Sequence, residues 1–192
     1  MRDSFRPLFY SELVELIPEW SRLSVVKDNS VELHSYLVLY LTWTDARLSA
    51  FTAKHVETLK WATLLHDISK RGEPQFKGRD HTHPFAGGLT VLKIFHRLGF
   101  LSSDLDGALN EESFERVCSL IEASLHDPLH ASVEPDYGKK FKKRERFCKE
   151  VHSHSHLNEI FNLLWEGNVL RRGTFSDHVF RLVFFHQSLC GL

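Results

Sequence analysis

Residues 64–70 read Leu64-Leu65-His66-Asp67-Ile68-Ser69-Lys70. An apolar helical run delivers an adjacent imidazole and carboxylate, and a lysine follows about one turn later. Imidazole and carboxylate together suit a divalent metal ion, and an ammonium group nearby suits a phosphate oxygen. A His-Asp pair alone is common, so its meaning rests on what the rest of the chain brings to it.

With 192 residues, 42% of them hydrophobic, the chain can bury one sizeable core, which predicts a single domain over residues 1–192. Charged residues make up 26% and the formal net charge is −1, so there is no global basic excess to attract nucleic acid. Anion binding must be local. The longest apolar runs, Ser35–Leu41 and Phe180–Phe185, fall well short of the roughly 20 residues a membrane helix requires. Met1-Arg2-Asp3-Ser4-Phe5 leads into a mixed polar segment and not into a signal-peptide core. A cytoplasmic protein is expected. Cys118, Cys148 and Cys190 are widely spaced and form no Cys-x-x-Cys pair, which supports neither a structural zinc site nor a disulfide framework. Histidine is the unusual count, at 13.

The pattern outward from residues 64–70 is helical throughout. A short amphipathic helix is expected over Phe9–Ile17, stopped by Pro18. Asn29 with Glu32 predicts the start of a second. There Val31, His34, Val38 and Leu41 recur at helical spacing, which turns His34 inward. A third runs from about Thr52 to Asp67, with Val56, Leu59, Thr63 and His66 on one face. The loop after Arg71, broken by Gly72, Pro74 and Gly78, ends at His83-Pro84, which opens a helix running to Gly99. Phe100–Glu111 reads as a linker, and helices follow near 112–126, 139–151, 157–171 and 177–189. The expected fold is all-α, with about seven to eight helices and a motif-bearing core over about 30–189.

Helix geometry limits which histidine can join His66 and Asp67. His55 shares a face with His66 but lies three turns earlier, roughly 16 Å along the axis, whereas metal–ligand bonds are only about 2 Å long. The partner must come from another helix, and His34 is the donor the pattern offers. His81 sits two residues before His83, and the His-Pro-x-x-Gly context favours His83. His96 and His130 have no partner by spacing, and His152, His154 and His156 read as a solvent-facing tract.

His66-Asp67-Ile68-Ser69-Lys70 resembles the His-Asp-Ile-Gly-Lys signature of the HD-domain metal-dependent phosphohydrolase superfamily. Glu32-Leu33-His34-Ser35 matches the family's first histidine. His83-Pro84 before Gly87-Gly88 is similar to its downstream histidine, and His126 falls where a further histidine is often placed. The spacing looks most like the HD region of bacterial tRNA nucleotidyltransferases. The transferase head is missing, because no Gly-Ser precedes an Asp-x-Asp pair.

The resemblance implies a metal site built from His34, His66 and Asp67 and closed by a late carboxylate on a C-terminal helix. Asn168 stands at the expected position with Glu166 nearby, and Asp177 is the other choice, though Thr174-x-x-Asp177 is also a capping pattern. It further implies one or two divalent ions (Mn, Fe, Co, Ni, Zn or Mg) that lower the pKa of a water and polarise a phosphorus centre. His83 and His126 would hold a second ion or contact the leaving group. Asp67 and Lys70 are the expected catalytic groups, with Lys70, Lys77 and Arg79 toward the substrate phosphate.

The implied substrate is a small phosphate ester or nucleotide. The run Lys139–Arg146, interleaved with aromatics, would either track RNA or form a solvated helix face. Two other functions fit the same scaffold: a non-catalytic nucleotide- or RNA-binding domain, and a diiron oxygenase.

Overall fold

The computed structural model describes residues 10–25, 30–73, 80, 82–125 and 155–186. Among these residues the secondary structure is helical, with no strand. Helix α1 (Tyr10–Leu16) gives way at Pro18, which has no N–H to continue the ladder, to a 3₁₀ segment, Pro18–Val25. Helices α2 (Ser30–Thr44) and α3 (Ala53–Leu65) form a hairpin joined by the 3₁₀ turn Ala46–Ala50. Asp45 starts that turn by accepting from the Arg47 N–H at 2.9 Å. Thr52 caps α3 by accepting from the His55 N–H at 3.3 Å.

Helix α4 (His83–Arg97) begins with Pro84 in its first turn and ends before Gly99, whose φ of 74° suits a residue without Cβ. The expected linker after it contains a short helix instead, α5 (Phe100–Asp104), because Phe100 and Leu101 pack inward. Helix α6 (Glu111–Leu125) is capped by Asn110, which accepts from the Ser113 N–H at 3.1 Å. Helices α7 (Ser155–Glu166) and α8 (Phe175–Phe184) complete the described set.

Helix α8 packs against both α4 and α3, α2 packs on α3, and α6 bridges α4 and α7. The α4–α8 contact depends on two glycines. A Cβ on Gly88 would stand 2.5 Å from a ring carbon of Phe184, and one on Gly87 would stand 3.0 Å from Val183 Cγ1. At the other end of α8, Trp61 meets Phe95, Phe100 and Phe175 edge-on, with centroids 5.8, 5.4 and 6.3 Å away. Burying aromatic surface of this kind is the main stabilising term for such a bundle.

Two of the expected helix faces are rotated. On α3 the buried residues are Thr58, Trp61, Ala62, Leu64 and Leu65, whereas Val56, Leu59 and Thr63 lie at the margin. On α2 the core takes Val31, Ser35 and Leu39, and leaves Leu33, Leu37, Tyr40 and Leu41 exposed. Helix α2 is apolar nearly all round, so its periodicity could not choose a face. His34 is consequently at the edge of the bundle, with its side chain half exposed. No described helix is long and apolar enough to cross a membrane.

Candidate metal centre

Helix α3 ends at Leu65, and the chain then turns tightly so that His66 and Asp67 leave it in adjacent directions. The turn is closed by Ile68 N–H donating to the Leu65 carbonyl at 3.1 Å and Lys70 N–H to the Asp67 carbonyl at 2.9 Å. Ile68 anchors it in the core. Ser69, at the signature's glycine position, ties the turn to α4 through Thr90 Oγ1 at 2.7 Å and the Ala86 carbonyl at 3.1 Å. The carboxylate of Asp67 is thereby fixed at the junction of α3 and α4, almost fully buried.

Among the described residues, four imidazoles converge on that carboxylate. His34 Nε2 from α2 and His66 Nε2 lie 3.8 and 3.5 Å from Oδ2, and 3.3 Å from each other. On the opposite side His83 Nε2, from the first turn of α4, lies 3.0 Å from Oδ1. His186 Nε2, just past the end of α8, lies 3.6 Å from Oδ1 and 3.0 Å from His83 Nε2. Two groupings share Asp67: His34, His66 and Asp67 toward solvent, and Asp67, His83 and His186 inside.

The ring orientations are set by the backbone. His66 Nδ1–H donates to the Thr63 carbonyl and His186 Nδ1–H to the Val183 carbonyl, each at 2.7 Å, and His83 Nδ1–H donates to the Asp80 carbonyl. With Nδ1 occupied, each ring turns its Nε2 toward Asp67. Burial, reinforced by neighbouring His186 and His34, lowers the basicity of His66 despite opposing contributions from Asp67 and Thr63. Burial by itself would raise the Asp67 carboxyl, but His186, His83, His66 and Lys70 outweigh it and hold the group well below the usual carboxylate range. An ionised carboxylate thus faces inward-pointing imidazole Nε2 atoms.

That donor set fits a divalent cation. Ligands about 2.1 Å from one ion stand about 3.0–3.5 Å apart in octahedral to tetrahedral geometry, and most of the spacings around Asp67 fall in or near that range. Lone pairs facing one another at such distances are favourable only with a proton or cation among them. Lys70 contributes one positive charge, its Nζ lying 2.7 Å from Asp67 Oδ2.

The late oxygen expected from the sequence comes from neither proposed residue. Asn168 adopts a left-handed φ of 55° at the stop of α7, where Val169 N–H reaches back to the Leu164 carbonyl at 3.1 Å. Its amide donates to the Ala108 carbonyl at 2.7 Å. Glu166 is exposed at the end of α7. Asp177 is fully buried in the first turn of α8, where it accepts from Trp165 Nε1–H at 3.0 Å and from Gly173 N–H at 2.9 Å. Nine residues along α8 separate it from His186, roughly 14 Å along the axis. None of these three belongs to either grouping around Asp67.

His186 lies outside the sequence motifs that mark the other ligands. Its signal was the inward stripe Val179, Val183, His186 on the last helix. His126, Lys77, Arg79, His81 and the basic run Lys139–Arg146 lie outside the described residues. His55 is exposed beside Phe51, and His96 pairs with Glu111 and stacks on Phe114.

A helical frame that gathers histidines around one buried aspartate is a His-Asp cluster that could hold a metal ion. The chain matches the HD domain profile over residues 31–152, and it belongs to the HD domain family, part of the metal-dependent phosphohydrolase superfamily. The matched stretch includes His34, His66, Asp67 and His83 and stops short of His186. Neither a curated protein nor a solved structure matches the chain.

Proposed function

We propose that this protein is a metal-dependent phosphohydrolase that uses water to cleave a phosphomonoester or phosphodiester of a nucleotide. The observation that carries the reading is the convergence of His34, His66, His83 and His186 on the two oxygens of Asp67. His34, His66 and Asp67 would hold one ion at the solvent side, and Asp67, His83 and His186 a second one inside. When bound, such ions supply Lewis acidity toward a phosphoryl oxygen and lower the pKa of a water. The imidazole-rich set suits Mn, Fe, Co, Ni or Zn better than Mg.

The chain's own groups supply binding and orientation. Half-exposed His34 marks the open side of the cluster, from which a phosphate ester would enter. Lys70, a third exposed, has the reach to leave Asp67 Oδ2 for a phosphate oxygen. Asp67, whose two oxygens carry more lone pairs than the ions would use, retains acceptor capacity for the water's proton. The nucleotide preference rests on the family resemblance. An RNA substrate would draw on Lys139–Arg146, which is read from the sequence alone. Action in the reducing cytoplasm accords with three widely spaced cysteines.

The test is metal analysis of the purified protein, followed by a metal-loaded activity screen over generic phosphate esters, nucleotides and cyclic phosphodiesters. Stoichiometric transition metal is expected, with hydrolysis abolished in His66→Ala and Asp67→Ala while helicity is retained. A protein that gains no metal on loading, or variants as active as the parent, would overturn the reading. Metal without hydrolysis, but with dioxygen uptake, would move the assignment to an oxygenase. Nucleotide binding without metal would move it to a binding domain.

A further inference from the structure

Arg71 directly follows the turn that carries His66, Asp67 and Lys70, and Asp80 lies nine residues further on. The Asp80 carboxylate is buried, and five donors surround it. Its Oδ2 accepts from Arg71 N–H at 3.0 Å and Nε–H at 2.9 Å. Its Oδ1 accepts from Arg71 Nη2 at 3.3 Å, Thr82 N–H at 3.2 Å and Thr82 Oγ1–H at 2.8 Å. Arg71 Nη2 also donates to Thr82 Oγ1 at 3.1 Å. A charge-assisted, forked pair of this kind is directional as well as attractive.

The same residue then acts through its backbone. The Asp80 carbonyl accepts the Nδ1–H of His83, whose Nε2 lies 3.0 Å from Asp67 Oδ1. A closed ring results: Asp67, four residues of chain to Arg71, the Asp80 carboxylate, the Asp80 carbonyl, His83, and back to Asp67. Thr82, the N-cap position of α4, makes no side-chain cap bond to the helix, because its hydroxyl is committed to Asp80 and Arg71. The start of α4 is therefore oriented by this pair and not by an ordinary cap.

We propose that Arg71 and Asp80 form a positioning pair that holds His83 in its Nδ1–H tautomer and at its distance from Asp67, making the inner grouping competent to bind metal. The inference rests on the reading of Asp67 and His83 as ligands. Partners that orient a ligating histidine typically change metal affinity by about 10–100-fold when removed. The same loss is expected here for Co(II) in Asp80→Ala and in Arg71→Gln, with an altered ligand-field spectrum. Asp80→Asn should recover part of it, since its Oδ1 can still accept from the Thr82 N–H.

Three measurements test this: Co(II) titration of parent and variants, circular dichroism, and long-range ¹H–¹⁵N spectra of the metal-free histidines. The parent is expected to show His83 as the Nδ1–H tautomer, and Asp80→Ala to show a mixture. Lys93→Ala, which removes the exposed Lys93–Glu122 pair, should move neither reading. A folded Asp80→Ala with parental Co(II) affinity and an unchanged His83 tautomer overturns the proposal. If Asp80→Ala does not fold, Arg71→Gln decides by the same two readings. A parent that binds no Co(II) defeats the metal reading on its own, and the tautomer comparison then judges the pair.

Discussion

The Nε2 atoms of His83 and His186 lie 3.0 Å apart, although 103 positions separate the two residues in the chain. Both rings donate Nδ1–H to a backbone carbonyl, so the two Nε2 atoms meet beside the Asp67 carboxylate. That arrangement is stable only with positive charge inside it. It exists because α8 can approach α4 over Gly87 and Gly88.

Replacing His186 should remove an inner ligand without disturbing the core, since its ring is at the end of α8 and part-exposed. His186→Ala is expected to weaken transition-metal binding by at least about 100-fold, beyond the range for residues that merely orient ligands. Its circular dichroism should match the parent's. Isothermal titration with Zn(II) or Co(II) checks this, and parental affinity would remove His186 from the site.

Asp177→Ala should give the opposite profile. It deprives Trp165 Nε1–H and Gly173 N–H of their acceptor inside the fold. Losing hydrogen bonds to a buried carboxylate costs about 2–4 kcal/mol. Urea unfolding should show that loss while Co(II) affinity stays within about twofold of the parent. A selective loss of metal would restore Asp177 as a ligand.

Gly88→Ala tests the approach of α8 to α4. The new methyl would meet the Phe184 ring at 2.5 Å, and Phe184 is enclosed by Phe85, Phe161, Phe180 and Phe185. Overpacking at such a site costs about 1–3 kcal/mol, against a gain near 1 kcal/mol from alanine's helix propensity. A net loss is expected in thermal unfolding, together with weaker metal binding as His186 is pushed away from His83. Unchanged values of both would show that the ring has room to move.

Asp80 should contribute an acid-sensitive share of stability. Burial raises its carboxyl, but hydrogen bonds from Arg71 and Thr82 and the Arg71 charge outweigh it, so the folded value lies below the ordinary 3.8. The contribution is therefore complete above about pH 3.8 and is lost as the pH falls through the lower folded value. Asp80→Asn should be less stable than the parent at pH 7, and the gap should narrow below pH 3.8. Urea unfolding of both proteins at pH 7 and pH 3 measures it; a constant gap would contradict the assignment.

Much of the frame was legible because it is local. Pro18, Thr52, Pro84 and Gly99 act on the neighbouring turn, and they mark element ends in the structure close to where the sequence puts them. The placing of His66, Asp67 and Lys70 on one turn is equally local. The buried face of α2 was not legible, since its apolar residues are spread round the helix and carry no directional pattern. Nor was the role of Asn168, where a side chain expected to bind metal instead belongs to a residue whose backbone stops a helix.

By itself, then, the sequence determined the all-α class, the His66-Asp67 turn, and the need for ligands from outside α3, which follows from the rise of a helix. Tertiary structure alone decided that α8 delivers His186 and turns Asp177 toward Trp165. It also decided that Arg71 and Asp80 close a ring through His83. These outcomes depend on which helix faces meet and how closely, and that is set by side-chain volumes on different helices, such as Gly88 against Phe184. No local periodicity encodes that fit.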